Sequence, residues 1–178
     1  MTFSPEPVSV LFTEQQIAER NAELAREIAE AVPPGLFLVA LLRGSFMFAA
    51  DLMRALHHIG VHPQLDFITL SSYGGGMKSS GNVTLHQGLT EDIAGRPVVL
   101  VDDILESGRT LFFAKQLLLG LGAKEVRIAA LLEKPGHRAV QIDADFVGFV
   151  CPDKFLVGYG LDYGNYYREL PFIGYLSR

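Results

Sequence analysis

Residues 98–111, VVLVDDILESGRTL, carry the reading that decides the fold. Val98 to Val101 are aliphatic without alternation, the pattern of a strand buried on both faces, and Arg96-Pro97 stops an earlier element from running into it. The strand is predicted to end near Asp102. Ser107, Gly108 and Thr110 then fall where a helix opens, predicted from Ser107 to about Leu119. Backbone N–H groups at that point have no intrahelical partner and can hold a phosphate at the positive end of the helix dipole. Asp102 and Asp103, just upstream, offer hard oxygens to sugar hydroxyls or to a hydrated Mg²⁺. The plainer alternative is an acidic turn before a helix capped by Ser107. An apolar strand, paired carboxylates and a small-residue loop in one run favour a phosphate site.

Outward from this stretch the chain alternates between the two periodicities. Thr13 and Gln16 form a capping box for a helix with Ile17, Leu24, Ala25 and Ile28 on one face, ending before Pro33-Pro34. Leu36 to Leu42 reads as a buried strand and Arg43-Gly44-Ser45 as a turn. Phe46 to His57 reads as a helix packing through Phe46, Ala50, Met53 and Ala55-Leu56. Gln64 to Ser71 is a further strand, and the glycine-rich run that follows Ser72-Tyr73 favours an open, mobile loop before a return over Val83 to Leu85. Gly120 and Gly122 stop the helix after the phosphate loop, and Val126 to Leu132 and Phe146 to Cys151 give two more strands. Buried strands alternating with helices imply an α/β fold with a doubly wound, mainly parallel sheet whose ligands sit beyond the carboxyl ends of the strands. Arg43, Asp102, Asp103 and Lys134 all fall near such ends. From Pro152 the chain is rich in Gly, Tyr and Asp, which suits a small irregular hood formed with the first dozen residues. The expected organisation is one domain, with residues 13–151 as core and residues 1–12 and 152–178 as hood.

Composition narrows the function. The chain has 178 residues, 49% of them hydrophobic, which suits one compact core. A net charge of -5 argues against a nucleic-acid footprint. Cys151 is the single cysteine, so no internal disulfide forms, and the start MTFSPEPVSV lacks the basic and apolar regions of a signal peptide. Leu36 to Leu42 is too short to span a bilayer. A cytoplasmic protein with no membrane partner is expected.

The stretch quoted first resembles the phosphoribosyl diphosphate (PRPP) motif of type I phosphoribosyltransferases: an apolar strand, two acidic residues, a hydrophobic pair and a Ser/Thr-Gly-x-Thr loop. Four further segments narrow the likeness to the hypoxanthine-guanine phosphoribosyltransferases. LLRGS, Leu41 to Ser45, is similar to that family's pyrophosphate-binding turn, often with a cis peptide, here the bond preceding Arg43. SSYGGG, Ser71 to Gly76, resembles its closing lid, with Ser72 and Tyr73 as the Ser-Tyr pair. LLEKP, Leu131 to Pro135, places Lys134 where the family contacts the exocyclic oxygen of a 6-oxopurine. PDKFLVGYGLDYGNYYREL, Pro152 to Leu170, matches the purine pocket and hood.

The resemblance implies a role for each matching residue. Asp102 and Asp103 would hold the ribose, and Glu106, Ser107, Gly108, Arg109 and Thr110 would form the phosphate loop. Arg43, Gly44 and Arg168 would face pyrophosphate. Phe155 would stack on the purine, and Leu156 would present backbone groups to its Watson–Crick edge. Asp162, counted with the purine-binding residues, would help order a second Mg²⁺ next to the pyrophosphate, so Asp102, Asp103 and Asp162 are the candidate metal ligands and Mg²⁺ the implied cofactor. Family members are usually dimers or tetramers, which implies a homodimer or homotetramer here. The chain departs from the family at Glu106, where an aspartate takes the purine N7 proton. Like charges around a carboxyl group raise its pKa, so Glu106 is a candidate general base.

Other chemistries find less support. His57 and His58 are adjacent, so on a helix they diverge and do not chelate as an i, i+4 pair would. Ser107 has no histidine partner nearby, and no Gly-x-Ser-x-Gly elbow, P-loop or Gly-x-Gly-x-x-Gly fingerprint is present. Tyr163, Tyr166 and Tyr167 read as hood packing. The alternatives left open are a transferase preferring xanthine or another base, and a nucleotide-binding regulatory protein on the same fold.

Overall fold

The computed structural model describes residues 6–72 and 83–176. The chain runs β1 (Val8–Phe12), α1 (Glu14–Ala31), β2 (Phe37–Leu42), α2 (Phe46–His58), β3 (Gln64–Ser72) and β4 (Val83–Gln87). It continues through β5 (Pro97–Leu105), α3 (Arg109–Gly120), β6 (Glu125–Glu133), β7 (Phe146–Val150), β8 (Leu156–Val157) and β9 (Ile173–Leu176). The large sheet has the order β4-β3-β2-β5-β6-β7, parallel throughout except for the antiparallel β3–β4 pair. From β2 the chain winds outward to β3, then returns to place β5 on the other side of β2. That reversal opens a crevice between the carboxyl ends of β2 and β5, the place where doubly wound sheets bind ligands.

Strand alternation assigns the two faces. Leu38 and Ala40 of β2, Val99 and Val101 of β5, and Ala129 and Leu131 of β6 pack with α1 and α2. Their neighbours Val39, Leu100 and Ala130 pack with Leu111, Ala114 and Leu118 of α3. Every central strand is buried on both faces, which is why its sequence shows no polar alternation. The capping box on α1 forms as expected: Gln16 N donates to Thr13 Oγ1, and Thr13 N donates to Gln16 Oε1 at 2.9 Å.

One buried face and two boundaries differ from what the sequence predicts. α2 buries Phe48, Ala49, Leu52 and Leu56, while Phe46 is exposed. The helix is apolar on most sides, so composition left its rotation open, and the four-residue spacing from Phe48 is the one that meets the sheet. β5 continues past Asp102 to Leu105, because Asp102, Ile104 and Leu105 keep their parallel register with Ala130, Leu132 and Glu133. α3 opens two residues later than expected, at Arg109, with Gly108 as N-cap in the left-handed region at φ 78°.

A second sheet, β1-β9-β8, closes over the strand ends. Both its pairings are antiparallel, with Val8 opposite Leu176 and Leu156 opposite Tyr175. Its residues Leu156 and Ile173 are continuous with the α1–α2 side of the core, so the hood is anchored by burial as well as by pairing. No helix of the described residues is long and apolar enough to cross a membrane.

Candidate active site

The crevice predicted by the topology is a cleft of about 860 Å³ lined by Arg43, Gly44, Asp102, Asp103, Asp162 and Arg168, among others. A smaller hollow of about 250 Å³ adjoins it, lined by Glu106, Ser107, Gly108 and Thr110 and again by Asp102 and Asp103. The carboxylate pair therefore stands between two compartments. Burial pushes Asp102 well above the usual carboxylate range, and the charge of Asp103 beside it adds to this. Burial also raises Asp103, against the pull of hydrogen bonds and of the Arg168 guanidinium. A pair in this state gains from hydroxyl donors or from a cation.

On one side of the pair the β2–α2 turn approaches as bare backbone. The Leu42–Arg43 peptide is cis, as the family resemblance implied. A Cβ on Gly44 would lie 1.5 Å from Asp103 Oδ2, and one on Gly160 would lie 2.1 Å from the Gly44 carbonyl. Two glycines thus let the hood, the turn and the carboxylate stack without a side chain between them. Buried Ser45 ties the turn by donating to the Leu41 carbonyl. Arg168 pairs with Asp162 at 2.7 Å and donates to the Gly160 carbonyl. Asn165 joins the two guanidinium groups, its Oδ1 accepting from Arg43 and from Arg168 at 3.4 Å each, while its N–H donates to Asp162 at 2.7 Å.

On the other side lies the loop before α3. Gly108 is required there twice, by its positive φ and because a Cβ would meet Ile142 Cγ2 at 2.5 Å. Ser107 Oγ accepts from the Arg109 N–H at 3.4 Å instead of capping deeper into the helix. The segment after β6 straps the loop from behind. Ala139 N donates to the Ser107 carbonyl at 2.9 Å, and Arg138 donates to the carbonyls of Leu105 at 2.9 Å and Glu106 at 2.7 Å while pairing with Glu133.

At the rim of this hollow, Lys134 Nζ lies 3.2 Å from Glu106 Oε1 and 3.2 Å from Asp153 Oδ1, and His137 Nε2 lies 3.0 Å from Asp153 Oδ2. Burial works against the Lys134 ammonium, yet the hydrogen bonds to Glu106 and Asp153 outweigh it and raise its pKa. Hydrogen bonds from His137 and then Lys134 hold Asp153 below the ordinary carboxylate range. Phe155 is 52% exposed and meets Tyr163 edge to face at 5.7 Å, leaving ring surface open. Leu156 is buried in β8.

The sequence model of the phosphoribosyl transferase domain matches residues 8–164. The chain belongs to the phosphoribosyltransferase family. Hypoxanthine phosphoribosyltransferase of Escherichia coli (strain K12) is 45% identical to it over 170 residues, 94% of each chain. A crystal structure of a hypoxanthine phosphoribosyltransferase from Staphylococcus aureus superposes with a TM-score of 0.88 at 40% identity, covering 94% of this chain and 90% of that one. A hypoxanthine-guanine phosphoribosyltransferase from Bacillus anthracis, holding HEPES in its active site, gives a TM-score of 0.89 at 39% identity over 97% and 99%.

This phosphoribosyltransferase brings most of the residues singled out by sequence into the two adjoining compartments, with Lys134 bound to Glu106 at their edge. Arg109 is the first residue of α3. Ser72 ends β3, and Tyr73 and the glycine-rich loop lie outside the described residues. Tyr167 is buried as hood packing requires, but Tyr163 and Tyr166 are exposed. The sequence reading missed Asn165, Arg138, His137 and Asp153. Each acts through a partner brought to it by the fold: Asp153 and Asn165 lie within the segment matched to the purine pocket and hood, and His137 and Arg138 just after the lysine motif, as charges or amides with no role of their own in the motif.

Proposed function

We propose that the chain transfers the phosphoribosyl group of PRPP to hypoxanthine or guanine, forming IMP or GMP and pyrophosphate. The observation that carries this reading is the Lys134–Glu106 pair at the edge of the phosphate-loop hollow, a donor and an acceptor 3.2 Å apart. A 6-oxopurine offers the complement on one edge, an acceptor at O6 beside a proton at N7. Lys134 donates and cannot accept, so it favours a carbonyl at the 6-position and meets the amine of adenine donor to donor. The open face of Phe155 suits a stacked ring.

In this mechanism the small hollow takes the 5′-phosphate on the amides of residues 107–110, and Asp102 and Asp103 hold the ribose hydroxyls. Arg43 and Arg168 neutralise departing pyrophosphate on the far side, so the C1 centre lies between the compartments as it gains oxocarbenium character. Purine N9 attacks C1, and Glu106 accepts the N7 proton. Asp102, Asp103 and Asp162 suit Mg²⁺: they are hard oxygen donors, and the buried pair is relieved by positive charge. Bound there, Mg²⁺ would supply charge neutralisation for the pyrophosphate. Ser72 and Tyr73 are assigned to the lid on the resemblance. A homodimer or homotetramer in the cytoplasm belongs to the same proposal, and sedimentation of the purified chain tests the assembly.

The experiment is turnover of hypoxanthine, guanine, xanthine and adenine with saturating PRPP and Mg²⁺. IMP and GMP are the expected products, with adenine poor. Failure with all four bases, or equal turnover of adenine and hypoxanthine, would contradict the proposal. Preference for xanthine would move the specificity to the C2 side of the base, which Lys134 does not reach.

A further inference from the structure

Reading a purine carbonyl demands that a long, flexible lysine present its ammonium at one place. The two carboxylates around Lys134 have unequal tasks if Glu106 accepts the N7 proton. Once protonated, Glu106 is neutral and its hold on the ammonium weakens, at the moment when the O6 contact matters most. Asp153 is the carboxylate that keeps its charge.

The fold presents Asp153 for this purpose. Strands β6 and β7 end side by side, with Glu133 opposite Val150, and Cys151 N donates to the Glu133 carbonyl at 2.9 Å. The turn after β7 then carries Asp153 back over Lys134. Lys154 N donates to the Pro152 carbonyl at 2.8 Å to close that turn, and the Lys154 ammonium lies 3.5 Å from the Tyr175 ring centroid. Each Asp153 oxygen has its own partner, Oδ1 facing Lys134 and Oδ2 facing His137. The carboxylate is fixed at both ends although its side chain is 65% exposed, an unusual degree of constraint for a surface aspartate.

A metal reading of the same cluster fails on charge. Glu106, His137 and Asp153 place three ligand atoms within 4.8 Å of one another. Two of the three, Glu106 and Asp153, already share the Lys134 ammonium, which stands 3.2 Å from each in the place a divalent ion would take.

We infer that Asp153, oriented by His137, is a positioning and specificity-determining residue that holds the Lys134 ammonium at the 6-position of the purine throughout the transfer. The inference rests on the reading of Lys134 as the 6-oxo contact.

Steady-state kinetics on the full chain test it. Asp153→Ala is expected to raise KM for hypoxanthine about tenfold, the scale of one lost hydrogen bond to a charged group. KM for PRPP should stay as it was, and the preference over adenine should narrow. Asp153→Asn, which keeps one acceptor, should fall between, and His137→Ala should shift the same constants less. In a Lys134→Gln background Asp153→Ala should add nothing, since its effect passes through the ammonium. The inference is overturned if Lys134→Gln loses base discrimination while Asp153→Ala leaves it intact, or if Asp153→Ala has its full effect without Lys134. If Lys134→Gln leaves base discrimination unchanged, the 6-oxo reading falls and takes this inference with it. An unchanged melting temperature for Asp153→Ala separates these effects from misfolding.

Discussion

At Gly44 one missing methyl group decides the geometry of the cleft. The glycine is not needed for its backbone angle but for its emptiness, since Asp103 Oδ2 occupies the place of a Cβ. Gly44→Ala must push the carboxylate aside, and a displaced reacting geometry costs about 10²-fold or more. We expect kcat/KM for PRPP to fall on that scale with the melting temperature nearly unchanged, and full activity of Gly44→Ala would detach Asp103 from ribose binding. Glu106 is governed by its charged partner. In sequence its charged neighbours are Asp102 and Asp103, whereas in the structure the Lys134 ammonium lies 3.2 Å away. Glu106→Gln is expected to lower kcat by about 10²-fold with PRPP binding retained, the range for a lost general base. Glu106→Asp should keep much of the activity. A Gln variant as fast as the parent at every pH would remove Glu106 from proton transfer.

At the scale of elements, Asp66 of β3 clips the connection that follows β4. Its carboxylate accepts from Thr90 N at 2.7 Å, Phe67 N at 2.7 Å and Glu91 N at 3.2 Å, and from the Thr90 hydroxyl. Burial works against the charge, but these donors outweigh it and hold the carboxyl below its ordinary value. A depressed folded-state pKa gives stability that is complete above the unfolded value and disappears as pH falls through the folded one. Asp66→Ala should therefore cost about 1–3 kcal/mol at neutral pH, and the penalty should shrink in acid. Chemical denaturation at pH 7 and near pH 3 measures both; an equal loss at the two values would deny the carboxylate this role. The sheet strands and α1 were legible because burial on both faces and a capping box leave local marks. The rotation of α2 was not, because FMFAADLM is apolar on most sides and only the sheet selects Phe48, Leu52 and Leu56. The full length of β5 was hidden by Asp102 and Asp103, which look like a strand end yet pair onward with β6. The loop before α3 and Lys134 stand in contiguous motifs, whereas the His137–Asp153 contact arises from two strand ends meeting.

For the whole molecule, the hood is the part the sequence showed least. β8 has two residues, too few for a period, the VSVLF of β1 does not alternate, and their partner β9 comes from far along the chain. Tyr167 reaches across 161 residues to accept a hydrogen bond from Glu6 N. A small sheet joined at such distance opens more readily than the β2–β5–β6 centre. Hydrogen exchange should therefore release the amides of β8 and β9 before those of β5, and IMP should slow the former selectively. Uniform exchange across both sheets would show that hood and core open as one unit. The same long closure has a meaning during synthesis. Translation delivers the carboxylate pair and the loop before α3 while Phe155 is still unmade, and β1 waits for β9 after nearly everything else has left the ribosome. A nascent chain halted after β7 would hold Asp102, Asp103, Lys134 and the loop before α3 but neither Phe155, Asp162 nor Arg168, so the cleft stays open on one wall until the final segment is made.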